Sequence, residues 1–281
     1  MLNCLKNEIE IETEDIDYLN DYSKTDTDKN QEVRSCNPKI KFFRSKKYHN
    51  LNLFVTDEEL VHLRNINKFE FPNSVIIFLS KHASKSKIPA LTSHFTGNFS
   101  LNNSLGGVPF EIGIAYPGFQ KEYMKNLYSM KNSLQNYDLT IEASHHGPTS
   151  SVNPILFIEI GSSEEEWNNK KTAKMVCECL IQTIQNVSKK ANIEESEISI
   201  GLGGNHYPQK FNNLILTSNV AFAAIASKHN LRFISNEMLE QMRKKSIEKV
   251  TSIYIDKKGM SSEKDRIVSL LRTQELDIKY I

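Results

Sequence analysis

Residues Ser74–Leu79, SVIIFL, form a continuous apolar run bounded by Pro72-Asn73 and by the polar Lys81-His82. A short run without polar alternation suits a strand covered on both faces, so layers are needed above and below its sheet. Similar runs are Glu111–Tyr116 (EIGIAY), Ile155–Ile160 (ILFIEI), Ile198–Leu202 (ISIGL) and Lys249–Ile255, with a weaker one at Leu51–Val55 (LNLFV). Amphipathic stretches lie between them. Lys121–Gln135 carries Tyr123, Leu127, Met130 and Leu134 at helical spacing, and Asp57–Asn65, Trp167–Ser188, Asn219–His229 and Ser261–Gln274 read as helices too. Strands alternating with helices predict an α/β fold: three layers, α/β/α, around a mostly parallel central sheet.

Residues 1–38 are polar and acidic, and Asp15–Asn37 reads as a mobile loop or linker. The remaining residues, 39–281, are expected to form a single catalytic α/β domain. Lys and Arg number 35 against 34 acids, so the whole-chain charge gives no case for nucleic acid; a local basic patch stays open. Cys4, Cys36, Cys177 and Cys179 make no disulfide framework, which points to a reducing compartment. No apolar run approaches the ~20 residues that span a bilayer, and no secretory core is present, so a cytoplasmic location is expected.

Ligands of open α/β sheets bind at the carboxyl ends of strands. The strand exits here are KHASKSKIP, GSSEEEW and GGNHY. Of the eight histidines, His82, His94, His145, His146 and His206 lie beside Gly, Ser, Thr or Asn, whereas His49, His62 and His229 read as surface or packing residues. Histidine transfers protons near neutral pH and, when neutral, ligates metals. In EASHHGPT, Glu142 to Thr149, the vicinal His145 and His146 point in different directions on an extended chain. Ser144 invites a nucleophile reading, but G-x-S-x-G is absent and no acid completes an evident triad, so serine catalysis is the weaker option. His82, His94, His145, His146, His206, Glu142 and Glu159 are all acceptable zinc ligands, although no H-E-x-x-H or C-x-x-C spacing supports a metal. GLGGNHY lacks the lysine of a phosphate-binding loop and the third glycine of a dinucleotide fingerprint. SHFTGN offers a turn at Gly97 with Thr96 and Asn98 as hydrogen-bonding groups, and Glu164–Glu166 suits a first helical turn capped by Ser162 or Ser163.

Taken together, SKHASKSKIPALTSHFTGN, Gly106-Gly107, GIAYP, EASHHGPT, FIEIGSSEEEW and GLGGNHY resemble, in order, the motifs of the archaeal and plant-type D-aminoacyl-tRNA deacylase family. The resemblance runs from about Lys39 to the C-terminus. It implies a phosphorylase- and peptidyl-tRNA hydrolase-like α/β/α fold and hydrolysis of the ester between a D-amino acid and the 3′ ribose of tRNA, with glycyl-tRNA as a further substrate. It also implies zinc and a site comprising His82, Ser84, Lys85, His94, Thr96, Asn98, His145, His146, Thr149, Glu159 and His206, and a monomer is expected.

Within that site His145, His146, His82 and His94 are expected to be catalytic, with His145 or His146 as base or water orienter. Around the substrate we place Ser84, Lys85, Thr96, Gly97, Asn98, Gly147, Thr149, Gly203, Gly204 and Tyr207, and as zinc ligands His145, His146, His206 and Glu159. Amides near Gly147 or Gly203-Gly204 are candidates for an oxyanion hole. Lys81, Lys85 and Lys87 either meet tRNA phosphates or form a solvated loop. The opening MLNCLKN resembles the inside of the family's first helix, so that the strand preceding it is expected to be missing. The alternatives are a peptidyl-tRNA hydrolase-like or nucleoside phosphorylase-like enzyme on the same fold, and an RNA-binding module, which would need a basic face with stacking aromatics.

Overall fold

The computed structural model describes residues 1–13, 40–63, 66, 72–189, 196–272 and 274–281. These fall into two compact units, Met1–Glu59 and Leu60–Ile281. In the first, helix α1 (Leu2–Ile9) buries Leu5 and Ile9 and leads into strand β1 (Ile11–Thr13). Strands β2 (Ile40–Ser45) and β3 (Asn52–Thr56) complete an antiparallel sheet in the order β1-β2-β3. The strand expected at Leu51–Val55 is β3, and it groups with the N-terminal residues, while Asp15–Asn37 lies outside the described residues.

The second unit opens with β4 (Ile76–Ala83), β5 (Ala90–Phe95), and the short pair β6 (Gly97–Asn98) and β7 (Glu111–Ile112). Helix α2 (Pro117–Ser129), β8 (Asp138–Ile141), β9 (Ile155–Ser162), α3 (Glu164–Trp167) and α4 (Lys170–Lys189) follow. The chain ends with β10 (Glu197–Leu202), α5 (Gln209–Thr217), β11 (Val220–Ala226), α6 (Asn236–Lys244), β12 (Ser252–Ile255), α7 (Lys264–Leu271) and β13 (Asp277–Tyr280).

Among the described residues the larger strands make two sheets, ordered β4-β9-β5-β8 and β11-β10-β12-β13. Every pairing in them is parallel except β5 with β9. The sheets meet at β8 and β11: the Ser144 amide, just past β8, donates to Ile225 O on β11, and α2 and α5 each pack on both strands. The fold is the expected three-layer α/β class, with its central sheet divided in two at this seam. Every residue of β9 and β11 is buried, as strands covered on both faces must be. Phe78 and Phe157 pack at 4.8 Å between ring centroids, inside a cluster that includes Leu63, Ile66 and Ile155.

Several expected boundaries shift. The strand from Ser74 runs on through Lys81 and His82 to Ala83, because pairing with β9 continues to Ser162. Ala90–Phe95, for which the sequence offered no element, is a wholly buried strand that carries His94. Asn219–His229 folds as β11 rather than as a helix, since its parallel register with β10 overrides the helical preference of its alanines. Glu111–Tyr116 pairs only as Glu111–Ile112, and Asp57–Asn65 shows a single helical turn at Leu60–His62 among its described residues.

Candidate active site

Five histidines and two glutamates converge where the two sheets meet. His82 ends β4, His94 sits on β5, Glu159 on β9, Glu142, His145 and His146 follow β8, and His206 follows β10. The glutamates are legible as hubs only in three dimensions. Glu142 accepts from His206 Nε2 at 2.6 Å and lies 3.3 Å from His82 Nδ1 and 3.6 Å from His145 Nε2. Glu159 lies 3.3 Å from the same His82 nitrogen.

Three of the imidazoles share one arrangement. His94 Nδ1 faces Phe95 O at 3.2 Å, His145 Nδ1 faces Ala143 O at 2.9 Å, and His146 Nδ1 faces Gly147 O at 2.7 Å. A carbonyl oxygen only accepts, so each Nδ1 carries the proton and each Nε2 presents a lone pair. The rings are packed together, with His94 4.1 Å from His145 and 4.7 Å from His146 between centroids, and His94 stacks on Phe157. Burial, followed by the neighbouring imidazoles, holds His94 well below the usual histidine range and pushes His145 down to about 3. Burial likewise takes His146 down to about 4. His146 also has φ of 44°, a left-handed conformation that costs a side chain about 1–2 kcal/mol and marks a position held for its ring.

The other two histidines are tied to side chains. His82 Nε2 pairs with the Tyr207 hydroxyl at 2.7 Å, and although burial opposes its charge, Glu159 and Glu142 raise its pKa. Burial works against ionised Glu142, but the His206 hydrogen bond leads the interactions that hold it well below the carboxylate range. Glu159 moves the opposite way, raised by burial and by Glu142. His206 is the most open of the five, its side chain 43% exposed.

The remaining expected residues have other partners. Gly97 N–H donates to His146 O, Gly147 N–H to Leu105 O, and Gly203 N–H to Ala226 O, so these amides are engaged with the backbone. Gly203 and Gly204 need positive φ (103° and 75°) and pass close to Asp256 and Gly259. Asn98 Nδ2 donates to Gly106 O and Val108 O, while Thr149 Oγ1 accepts from Val108 N–H and donates to Glu111, which pins the 99–110 loop beside His146. Thr96 Oγ1 is buried without a hydrogen-bond partner. Ser144 Oγ accepts from Ile225 N–H and is 2% exposed, which gives it a role in the seam. Ser84 and Lys85 line a cleft beside the cluster, and Ser163 with Glu166 forms the expected helix cap. His49 and His229 are exposed and His62 is half-buried.

Whether a metal fits can be judged from the donors. Three sets have ligand atoms within 4.8 Å of one another: His94, His145 and His146; Glu142, His145 and His206; and His82, Glu142 and Glu159. His94 Nε2 and Glu142 Oε1 are buried with no hydrogen-bond partner, as ligand atoms lacking their ion would be. Imidazoles fixed through Nδ1–H to carbonyls and kept neutral are the usual second-sphere preparation for Zn2+. The site fits the ion.

An α/β scaffold with clustered histidines and carboxylates at its strand ends suits a hydrolase that activates water. A family model for D-aminoacyl-tRNA deacylase matches residues 69–279. Similar proteins named D-aminoacyl-tRNA deacylase come from Methanococcus maripaludis, 38% identical over 71% of this chain and 79% of the relative, and from Sulfurisphaera tokodaii, 36% identical over 73% and 83%. Another, from Cenarchaeum symbiosum, is 33% identical over 74% and 78%. The crystal structure of a conserved protein of unknown function shares the fold with a TM-score of 0.82 at 24% identity, over 99% of this chain and 89% of the other. The chain belongs to the D-aminoacyl-tRNA deacylase family.

Proposed function

We propose that the chain hydrolyses the ester joining a D-amino acid to the 3′ ribose of tRNA. The observation that supports this most is the meeting of three backbone-anchored neutral imidazoles with the Glu142–His206 pair at one sheet seam. His94, His145 and His146 would hold Zn2+, and His82, Glu142, Glu159 and His206 offer further ligands. An ion held there would supply Lewis acidity toward a water and the ester carbonyl.

The protein's own groups do the rest. Glu142 fixes His206 through Nε2–H and leaves Nδ1 as the atom that accepts a proton from the attacking water. With pKa values near 3 and 4, His145 and His146 are better ligands than bases. Of the donors expected to meet an oxyanion, the Gly147 and Gly203 amides are engaged with the backbone, and the Tyr207 hydroxyl, which shares a hydrogen bond with His82 Nε2, is proposed for that role. Glycyl-tRNA is a further substrate on this reading, because glycine has no side chain on either face of its α-carbon. The reading includes action as a cytoplasmic monomer; no helix among the described residues is long and apolar enough to cross a membrane.

The test is release of D-tyrosine and L-tyrosine from charged tRNA by the wild type, His145→Ala and His146→Ala, before and after chelation with metal analysis. We expect rapid D-specific release that fails in both variants and after chelation. Equal rates on the two stereoisomers would overturn the substrate assignment, full activity in both variants the site, and an unchanged rate without metal the zinc.

A further inference from the structure

Strands β4 and β9 stay in register past the His82–Glu159 pair, with His82 opposite Gly161 and Ala83 opposite Ser162. Just beyond lies a cleft of about 410 Å³ lined by Ser84, Lys85, Lys87, Ser162, Ser163 and Trp167, with Glu164 as its one opposing charge. It is tied to the active site directly. Trp167, the chain's single tryptophan, donates Nε1–H to His82 O at 2.9 Å, and Ser84 hydrogen-bonds to the Tyr207 hydroxyl that holds His82 Nε2. Lys81, which is not part of the cleft lining, places its Nζ 5.2 Å from the indole centre.

One to three residues of extended strand separate His82 and Glu159 from the cleft lining, roughly 3–10 Å, within the reach of a nucleoside. An aromatic wall, a surplus of lysine over acid, and several hydroxyls are the groups that grip a single-stranded nucleotide: the ring takes a base, the cations a phosphodiester. We infer that this cleft seats the leaving side of the substrate, with the terminal base of the tRNA 3′ strand against Trp167 and the first phosphodiester on Lys85 and Lys87. The inference rests on the deacylase reading and specifies how the alcohol side of the ester is bound.

Two measurements test it. Titration with adenosine 5′-monophosphate reads the cleft without hydrolysis, because Trp167 is the only tryptophan and reports on a base stacked against it. Saturable quenching in the wild type, weakened at least several-fold in a Lys85→Ala/Lys87→Ala variant, is expected. Absence of saturable quenching, or equal quenching in both proteins, overturns the assignment.

The second measurement compares D-tyrosyl-tRNA with 3′-O-D-tyrosyl-adenosine, which lacks the phosphodiester. The double lysine variant should raise KM about tenfold for the tRNA and less than about twofold for the adenosine ester. Trp167→Ala should raise KM for both, and Trp167→Phe, which keeps a stacking ring but loses the bond to His82 O, should restore most of it. Equal effects of the lysine variant on both substrates, or no effect of Trp167→Ala on either, overturns the cleft. Wild-type protein that hydrolyses neither ester overturns the deacylase reading instead, whatever the titration shows.

Discussion

Two groups of histidines share this site and differ in what holds their rings. His94, His145 and His146 give their Nδ1 protons to backbone carbonyls, whereas His82 and His206 are held by Glu159, Glu142 and Tyr207. Burial keeps the first three neutral, and the carbonyls fix their tautomers without adding charge, so each presents a lone pair. Glu159 and Glu142 stabilise the imidazolium of His82, and Glu142 fixes the orientation of His206, so these two are suited to pass protons. One residue type thus serves two chemistries, divided by its hydrogen-bond partner.

Breaking the first group should have the largest effect. His94→Ala and His146→Ala should each lose bound zinc and lower kcat/KM by on the order of 10³-fold or more, checked by metal content, rate and thermal unfolding together. A variant that keeps both metal and rate would break the division. In the second group, Glu142→Gln and His206→Ala should lower kcat by on the order of 10²–10³-fold while retaining most of the metal. Tyr207→Phe, which removes only the hydroxyl at His82 Nε2, should cost about tenfold in kcat.

The smallest effect concerns the loop beside the first group. Burial would raise the Glu111 pKa, but hydrogen bonds from Thr149, Ser150 and Lys245 outweigh it and hold the group below its ordinary value. A lowered folded pKa adds stability above the ordinary value of 4.5 and loses it as pH falls through the folded value. Glu111→Gln should therefore destabilise the protein near neutral pH by about 1 kcal/mol or less, and the gap should close in acid, as measured by denaturant unfolding.

The sequence shows the members of the first group more readily than their arrangement. His145-His146-Gly147 is visible as a motif, and the SVIIFL and ILFIEI runs identify β4 and β9 because strands buried on both faces cannot alternate. His94 reads as a turn residue because Gly97 and Asn98 follow it, yet it lies on a strand whose antiparallel pairing with β9 is a long-range event. Glu142 reads as one acid among many, and its meeting with His82 and His206 depends on three strands ending together. β11 is hidden by its alanines, and α5 by its brevity, with only Phe211 and Ile215 buried. Trp167 has a signal in being the only tryptophan, but its cleft depends on how β4 and β9 run past the site.

The stitching of the segment after β8 has a kinetic consequence. Ala143 and Ser144 donate their amides to His206 O and Ile225 O, Gly147 to Leu105 O, and Gly97 back to His146 O. The Ala143 and Ser144 protons should exchange with solvent as slowly as protons of the sheet core, since both bonds lie at the seam, whereas the Gly147 proton is held by a carbonyl of the neighbouring loop. Binding loops usually belong to the fast-exchanging class and take shape around what they bind. This one is set before its ligand arrives, so discrimination between mirror-image amino acids would rest on the contour of a finished cavity rather than on a closing motion.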